Sequence, residues 1–139
     1  MSDKLFVSSN ELYMESLKFG KKILETNYKP DAILSIARGG CFISTIVHEY
    51  LNFKKVNCEF FVMKAKSYTG IDSTYNNDNV RVEIDISDKT LESLKKLGNI
   101  LIVDDVFDTG ITIEQIIQYL QKENIEQNKI KVATLFYKP

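Results

Sequence analysis

At 139 residues, 44% hydrophobic and 27% charged, the chain has the size and composition of one ordinary globular domain with a buried core. A formal net charge of −1 provides no general field toward nucleic acid or anionic lipid, and no apolar run approaches the ~20 residues of a membrane span. The start, Met-Ser-Asp-Lys-Leu-Phe, lacks the pattern of a secretory signal, and Cys41 and Cys58 have no metal-ligand spacing; together these predict reduced thiols in a cytoplasmic protein.

Ser8 and Glu11 fit a capping box at the head of a helix carrying Leu12, Leu17, Phe19, Ile23 and Leu24, which Pro30 and Asp31 break. Residues 32–37 form an apolar run around Ser35 and predict a strand buried on both faces. Arg38-Gly39-Gly40 follows as a glycine turn, then a helix over 41–51, where His48 reads as structural or exposed rather than catalytic. A strand is expected over 56–64. Residues 65–79 are polar and turn-rich, which predicts a long loop of the kind that serves as a lid or stays disordered. Val80 to Ile86 alternates apolar and polar, suiting an edge strand with one wet face, and a short helix over 88–97 stops at Gly98. A strand at 100–104, a helix near 110–123 with Ile113, Ile116, Ile117 and Leu120 on one face, and a strand at 130–137 complete the chain. Strands alternating with helices predict an α/β fold with a mostly parallel sheet flanked by helices on both sides. The aromatics Phe60, Phe61, Tyr119, Phe136 and Tyr137 read as core and interface.

Residues 100–112, Ile-Leu-Ile-Val-Asp-Asp-Val-Phe-Asp-Thr-Gly-Ile-Thr, are the most informative stretch. Four aliphatics make a buried strand, and Asp104 and Asp105 fall where it is expected to end. Asp108 opens a tight turn through Thr109 and Gly110 into the next helix. Ligands of open α/β sheets bind at the carboxyl ends of strands, and the first turn of a helix offers free N–H groups to a phosphate. Thr109, Gly110, Ile111 and Thr112 could therefore cradle a phosphate beside oxygen-rich groups suited to sugar hydroxyls or hydrated Mg²⁺. A lone acid here would read as a solvated strand end or a helix cap. The whole string is too long and too well placed for that. Only Arg38 and Arg81 among the 18 basic residues are arginines, so Arg38 in its glycine turn also stands out.

Ile100 to Thr112 resembles the phosphoribosyl diphosphate (PRPP) signature of type I phosphoribosyltransferases. Ile36-Ala37-Arg38-Gly39-Gly40 resembles the pyrophosphate loop of the purine (hypoxanthine, guanine, xanthine) branch. Lys66-Ser67-Tyr68 resembles the entry to that branch's mobile catalytic loop, and Leu135 to Pro139 the strand end carrying its base-reading lysine. The resemblance implies a Mg²⁺-dependent transfer of ribose 5-phosphate from PRPP to a 6-oxopurine, releasing pyrophosphate, by a homodimer or homotetramer. Asp104 and Asp105 would meet the ribose hydroxyls and the Mg²⁺, directly or through water. Asp108 would be the general base, and Thr109 to Thr112 would hold the 5′-phosphate. Arg38 and Gly39 would hold the pyrophosphate, across a cis peptide between positions 37 and 38. Lys66, Ser67 and Tyr68 would close over PRPP, and Lys138 would donate to the 6-oxygen of the base. The resemblance also implies a C-terminal hood, for which no counterpart is expected after Lys138. A phosphoribosyltransferase for another base, or a non-catalytic PRPP- or nucleotide-binding regulator on the same fold, are the alternatives.

Overall fold

The computed structural model describes residues 8–68, 81–107 and 110–137. The elements run α1 (Ser9–Glu25), β1 (Ala32–Ala37), α2 (Gly39–Phe53), β2 (Glu59–Tyr68), β3 (Arg81–Asp85), α3 (Asp88–Lys96), β4 (Ile100–Phe107), α4 (Ile111–Lys122) and β5 (Ile130–Tyr137). The strands form one sheet in the order β3-β2-β1-β4-β5. Pairing is parallel throughout except between β2 and the edge strand β3. Among the described residues no helix is long and apolar enough to cross a membrane.

Alternation along the strands divides the core into two layers. Leu34, Ile36, Met63, Ile100 and Ile102 pack with Leu91 and Leu94 of α3 and Ile113, Ile116 and Leu120 of α4. Ile33, Leu101 and Val103 pack on the opposite face with Ile23 of α1 and Ile43, Val47 and Leu51 of α2. Burial on both faces is why β1, Ser35 apart, and the first half of β4 are apolar runs. α1 begins as expected, with the Ser8 hydroxyl accepting from the Glu11 amide at 3.1 Å. His48 is structural: its Nε2 lies 2.6 Å from the Cys58 carbonyl oxygen, and its ring centroid is 5.3 Å from that of Phe60. Both cysteines are free thiols.

Several boundaries differ from the sequence expectations. α2 begins at Gly39 rather than 41, so the glycine turn is itself the start of the helix. β2 starts at Glu59, not 56, because residues 54–56 close α2, with the Val56 amide bonded to the Leu51 carbonyl at 2.9 Å. β2 also continues to Tyr68, through residues expected to be loop. There the antiparallel partner β3 pairs Lys64 through Tyr68 with Asp85 through Arg81, supplying backbone partners that hydrophobic pattern does not announce. The remainder of the expected loop, residues 69–79, lies outside the described residues. β4 runs past the acid pair to Phe107, held by pairing that extends to Phe107 opposite Tyr137. The two acids therefore sit within a strand, not at its end.

Candidate functional site

β1 lies between β2, which precedes β3, and β4, which precedes β5, so the strand order reverses between β1 and β4. Such a switch point opens a crevice at the carboxyl ends of the strands, because the helices that follow leave to opposite faces. Here α2 follows β1 onto one face and α4 follows β4 onto the other. Of the candidate residues, Arg38, Gly39, Gly110, Ile111 and Thr112 fall between β1 and α2 or at the starts of α2 and α4, and Asp104 and Asp105 lie in the second half of β4.

The turn after β1 contains a cis peptide between Ala37 and Arg38, as the resemblance implied. Arg38 is exposed, and its carbonyl accepts from the Cys41 amide at 3.1 Å. Gly39 and Gly40 press against β4. A Cβ on Gly39 would stand 2.5 Å from one Asp105 carboxylate oxygen and 2.7 Å from the other. A Cβ on Gly40 would stand 2.6 Å from the Val103 carbonyl oxygen and 3.1 Å from the Asp104 Cα. A Cβ would meet strand backbone at Gly40 but only the Asp105 side chain at Gly39, and the turn lies directly beside the acid pair. Gly40 closes the Ile36–Gly40 stretch that resembles the pyrophosphate loop, although no role of its own was expected for it.

Asp104 and Asp105 leave the strand on opposite faces. The carboxylate of Asp105 lies toward the turn, on the α2 face. Asp104 follows Ile100 and Ile102 toward the α4 face, and one of its carboxylate oxygens accepts from the Asp105 amide at 2.9 Å. Partial burial raises the Asp104 carboxyl to about 6 from 3.8; the Asp105 amide opposes this, while the neighbouring Asp105 carboxyl and its charge add to it. Two adjacent carboxyls, one reluctant to ionise, form a site that favours a cation. Among the described residues no group of three or more His, Cys, Asp or Glu could hold a metal alone. The pair suits Mg²⁺, which keeps several waters and binds through one or two carboxylates together with phosphate oxygens of a ligand.

α4 starts at Ile111 behind Gly110, whose φ of 81° is left-handed and which has no side chain to cap the helix. The amide N–H groups and positive dipole end of a helix start suit an anion. The Arg38 side chain at the start of α2 makes no cap bond. Asp108, Thr109 and Lys138 lie outside the described residues, as do the side chains of Ser67, Tyr68 and Ile111. The backbones of Ser67 and Tyr68 end β2, and exposed Lys66 pairs across to Glu83 in β3. A groove of about 530 Å³ lies elsewhere, between α1 and β5, where Phe19, Tyr28 and Lys131 contribute to its wall. None of the described candidate residues borders it.

A mostly parallel sheet with an acid pair, a glycine turn and two helix starts at its switch point is an architecture for phosphorylated ligands. Within that class the chain belongs to the phosphoribosyltransferase domain family, whose model matches residues 8–139. The resemblance carried by residues 100–112 holds at that level. The chain is 26% identical over 137 residues to xanthine phosphoribosyltransferase 1 of Saccharomyces cerevisiae, covering 93% of this chain and 66% of that protein. It is 30% identical over 132 residues to the hypoxanthine-guanine phosphoribosyltransferase of Schizosaccharomyces pombe, covering 91% of this chain and 64% of that one. The chain thus spans just under two thirds of these relatives' lengths. A Pyrococcus horikoshii purine phosphoribosyltransferase structure superposes with a TM-score of 0.71 at 28% identity, covering 99% of this chain and 80% of the other. A Neisseria gonorrhoeae protein with bound ppGpp shares the fold, with a TM-score of 0.76 at 22% identity over 100% of this chain and 74% of that one.

Proposed function

We propose that this chain is the catalytic core of a purine phosphoribosyltransferase, transferring ribose 5-phosphate from PRPP to a 6-oxopurine. The observation that carries this reading is the crevice between β1 and β4. It sets the Arg38–Gly40 turn against the Asp104–Asp105 pair in a member of the phosphoribosyltransferase domain family. The similarity to named xanthine and hypoxanthine-guanine enzymes supports a purine as acceptor.

In this reading the pyrophosphate of PRPP rests on the Arg38–Gly39 turn and the start of α2. The 5′-phosphate rests on the start of α4, against the amides of residues 109–112 and the hydroxyls of Thr109 and Thr112. Asp104 and Asp105 hold the ribose hydroxyls and, directly or through water, a Mg²⁺ ion. When bound, Mg²⁺ neutralises charge on the pyrophosphate and helps it depart. A ring nitrogen of the base forms the new bond to the ribose C1′ as the C1′–O bond breaks. Pyrophosphate leaves with the electron pair, and Asp108 takes the proton from the base. Lys66, Ser67 and Tyr68 cover the reacting ribose and exclude water. Lys138 donates to the 6-oxygen of the base, a donor that adenine's amino group leaves unpaired. Self-association as a homodimer or homotetramer and a cytoplasmic location belong to the same reading.

The test is release of pyrophosphate from Mg²⁺ and PRPP with one base at a time. Hypoxanthine, guanine or xanthine should support turnover; adenine, uracil and orotate should give little. Turnover confined to adenine or uracil would move the assignment to another base. Calorimetric binding of PRPP without turnover of any base would replace the enzyme with a PRPP- or nucleotide-binding regulator.

A further inference from the structure

Ser35 and Ser44 are fully buried in a layer built mainly from apolar side chains, and the mechanism above uses neither. Ser35 lies on β1 and Ser44 on α2, and their hydroxyl oxygens are 2.6 Å apart. The Ser44 oxygen is also 2.5 Å from the Gly40 carbonyl oxygen and 3.3 Å from that of Cys41. Ser35 Oγ lies 3.5 Å from the Cys41 sulfur. Each hydroxyl has one proton to give. Both are used when Ser35 donates to Ser44 and Ser44 donates to the Gly40 carbonyl.

The result is a dry polar link from the interior of β1 to the first turn of α2. α2 does not need it for its own backbone ladder, and a complete polar link in an apolar layer is costly to break. Its far end is Gly40, which lies so near β4 that a Cβ there would meet the Val103 carbonyl oxygen and the Asp104 Cα. Gly40 is thus gripped by β4 on one side and by the hydroxyl link on the other.

We propose that Ser35 and Ser44 are positioning residues for the reaction, fixing the 38–40 turn where it receives the pyrophosphate group of PRPP. The inference rests on the reading of that turn given above. Neither serine touches ligand; both act through the backbone of Gly40 and the adjoining Gly39.

The test compares the parent, Ser44→Ala and the double variant Ser35→Ala/Ser44→Ala, by thermal melting and by calorimetry with two ligands. One ligand is Mg²⁺-pyrophosphate. The other is a purine nucleoside 5′-monophosphate, whose phosphate belongs to the start of α4. Ser44→Ala leaves the buried Ser35 hydroxyl only the weak Cys41 sulfur as partner and should melt lower, whereas the double variant removes both hydroxyls and should melt near the parent. The double variant carries the test even if Ser44→Ala fails to fold. It should bind pyrophosphate about tenfold more weakly, the worth of roughly one hydrogen bond, with monophosphate affinity within about twofold of the parent. Parental pyrophosphate affinity in the double variant overturns the positioning role, and so does an equal loss for both ligands. A parent that binds the monophosphate but no pyrophosphate overturns the reading of the turn, and the positioning role with it.

Discussion

Gly39 and Gly40 are neighbours that should fail for different reasons when each is replaced by alanine. In Gly40→Ala the new methyl would lie 2.6 Å from the Val103 carbonyl oxygen and 3.1 Å from the Asp104 Cα. Both are backbone atoms of a central strand paired on both sides, so they cannot yield. Overpacking of this kind costs about 1–3 kcal/mol, and the better helix propensity of alanine returns up to about 1. A net loss of about 1–2 kcal/mol corresponds to a melting temperature lower by roughly 3–10 °C for a domain of this size. In Gly39→Ala the contact at 2.5 Å is to the Asp105 carboxylate, a side-chain group that can rotate away. Stability should then hold within about 1 kcal/mol, since the clash is relieved by a rotamer change. Displacing Asp105 should nevertheless weaken Mg²⁺-PRPP binding about tenfold or more, the loss expected for a charge-assisted contact. Scanning calorimetry and PRPP titration on the two purified variants make the comparison. A Gly40→Ala protein that melts with the parent would refute the close packing of the turn on β4. Parental PRPP affinity in Gly39→Ala would refute the role given to Asp105.

Asp104 provides a pH test. Its carboxyl is raised to about 6 from 3.8 in the folded protein, so the stability of its protonated form is fully present below about 4 and is lost as pH rises through about 6. The full shift corresponds to about 3 kcal/mol, and solvent screening at a half-buried carboxyl reduces this to about 1. Asp104→Asn should therefore melt about 3–5 °C above the parent at pH 7.5 and together with it at pH 3.5; equal melting at both values would refute the burial argument. Conversely, Mg²⁺-PRPP affinity of the parent should fall as pH drops below about 6, because the ligand requires the ionised carboxyl, and a flat profile would count against it. The double variant Asp104→Asn/Asp105→Asn should lose most Mg²⁺-dependent PRPP binding by calorimetry, and an unchanged affinity would remove both acids from the site. Thr112→Ala should weaken nucleoside monophosphate binding by about 1–2 kcal/mol, the range for a hydrogen bond to a charged acceptor. Asp108→Asn should keep PRPP affinity while lowering turnover, which steady-state kinetics beside calorimetry will separate.

The parts of the fold that are legible in the sequence are those whose local pattern has one solution. Residues 32–37 could be buried on both faces in one way, and β1 occupies those residues. The helices at 88–97 and 110–123 lie within a residue of α3 and α4, because their apolar faces repeat at helical spacing. The ends of β2 and β4 are not legible, since each is set by a partner strand. Lys64 to Tyr68 is mostly polar and becomes strand because β3 completes its hydrogen bonds. The residue types at the crevice are visible in the sequence, but their contacts are not. That Gly39 faces Asp105, and Gly40 the backbone at 103–104, joins segments more than sixty residues apart. Ser35 and Ser44 left a fainter mark, a hydroxyl in an apolar strand and another on the buried side of a helix.

The doubled acid acquires a physical reason from the topology. At the switch point α2 and α4 start on opposite faces of the sheet, so a ligand with a phosphate at each end would have to cross the strand edge between them. A single aspartate on β4 could serve only one of those faces. Two consecutive aspartates on a strand that continues to Phe107 present one carboxylate to each, Asp105 beside the turn and Asp104 toward α4. In the proposed reading pyrophosphate and 5′-phosphate occupy the two helix starts, and the ribose lies between them over the acids. The same placement half-buries Asp104 beside a like charge, which disfavours its ionised form until a cation or sugar hydroxyls arrive. The acid that is costly to the empty protein is thus the one whose ionisation ligand binding would drive.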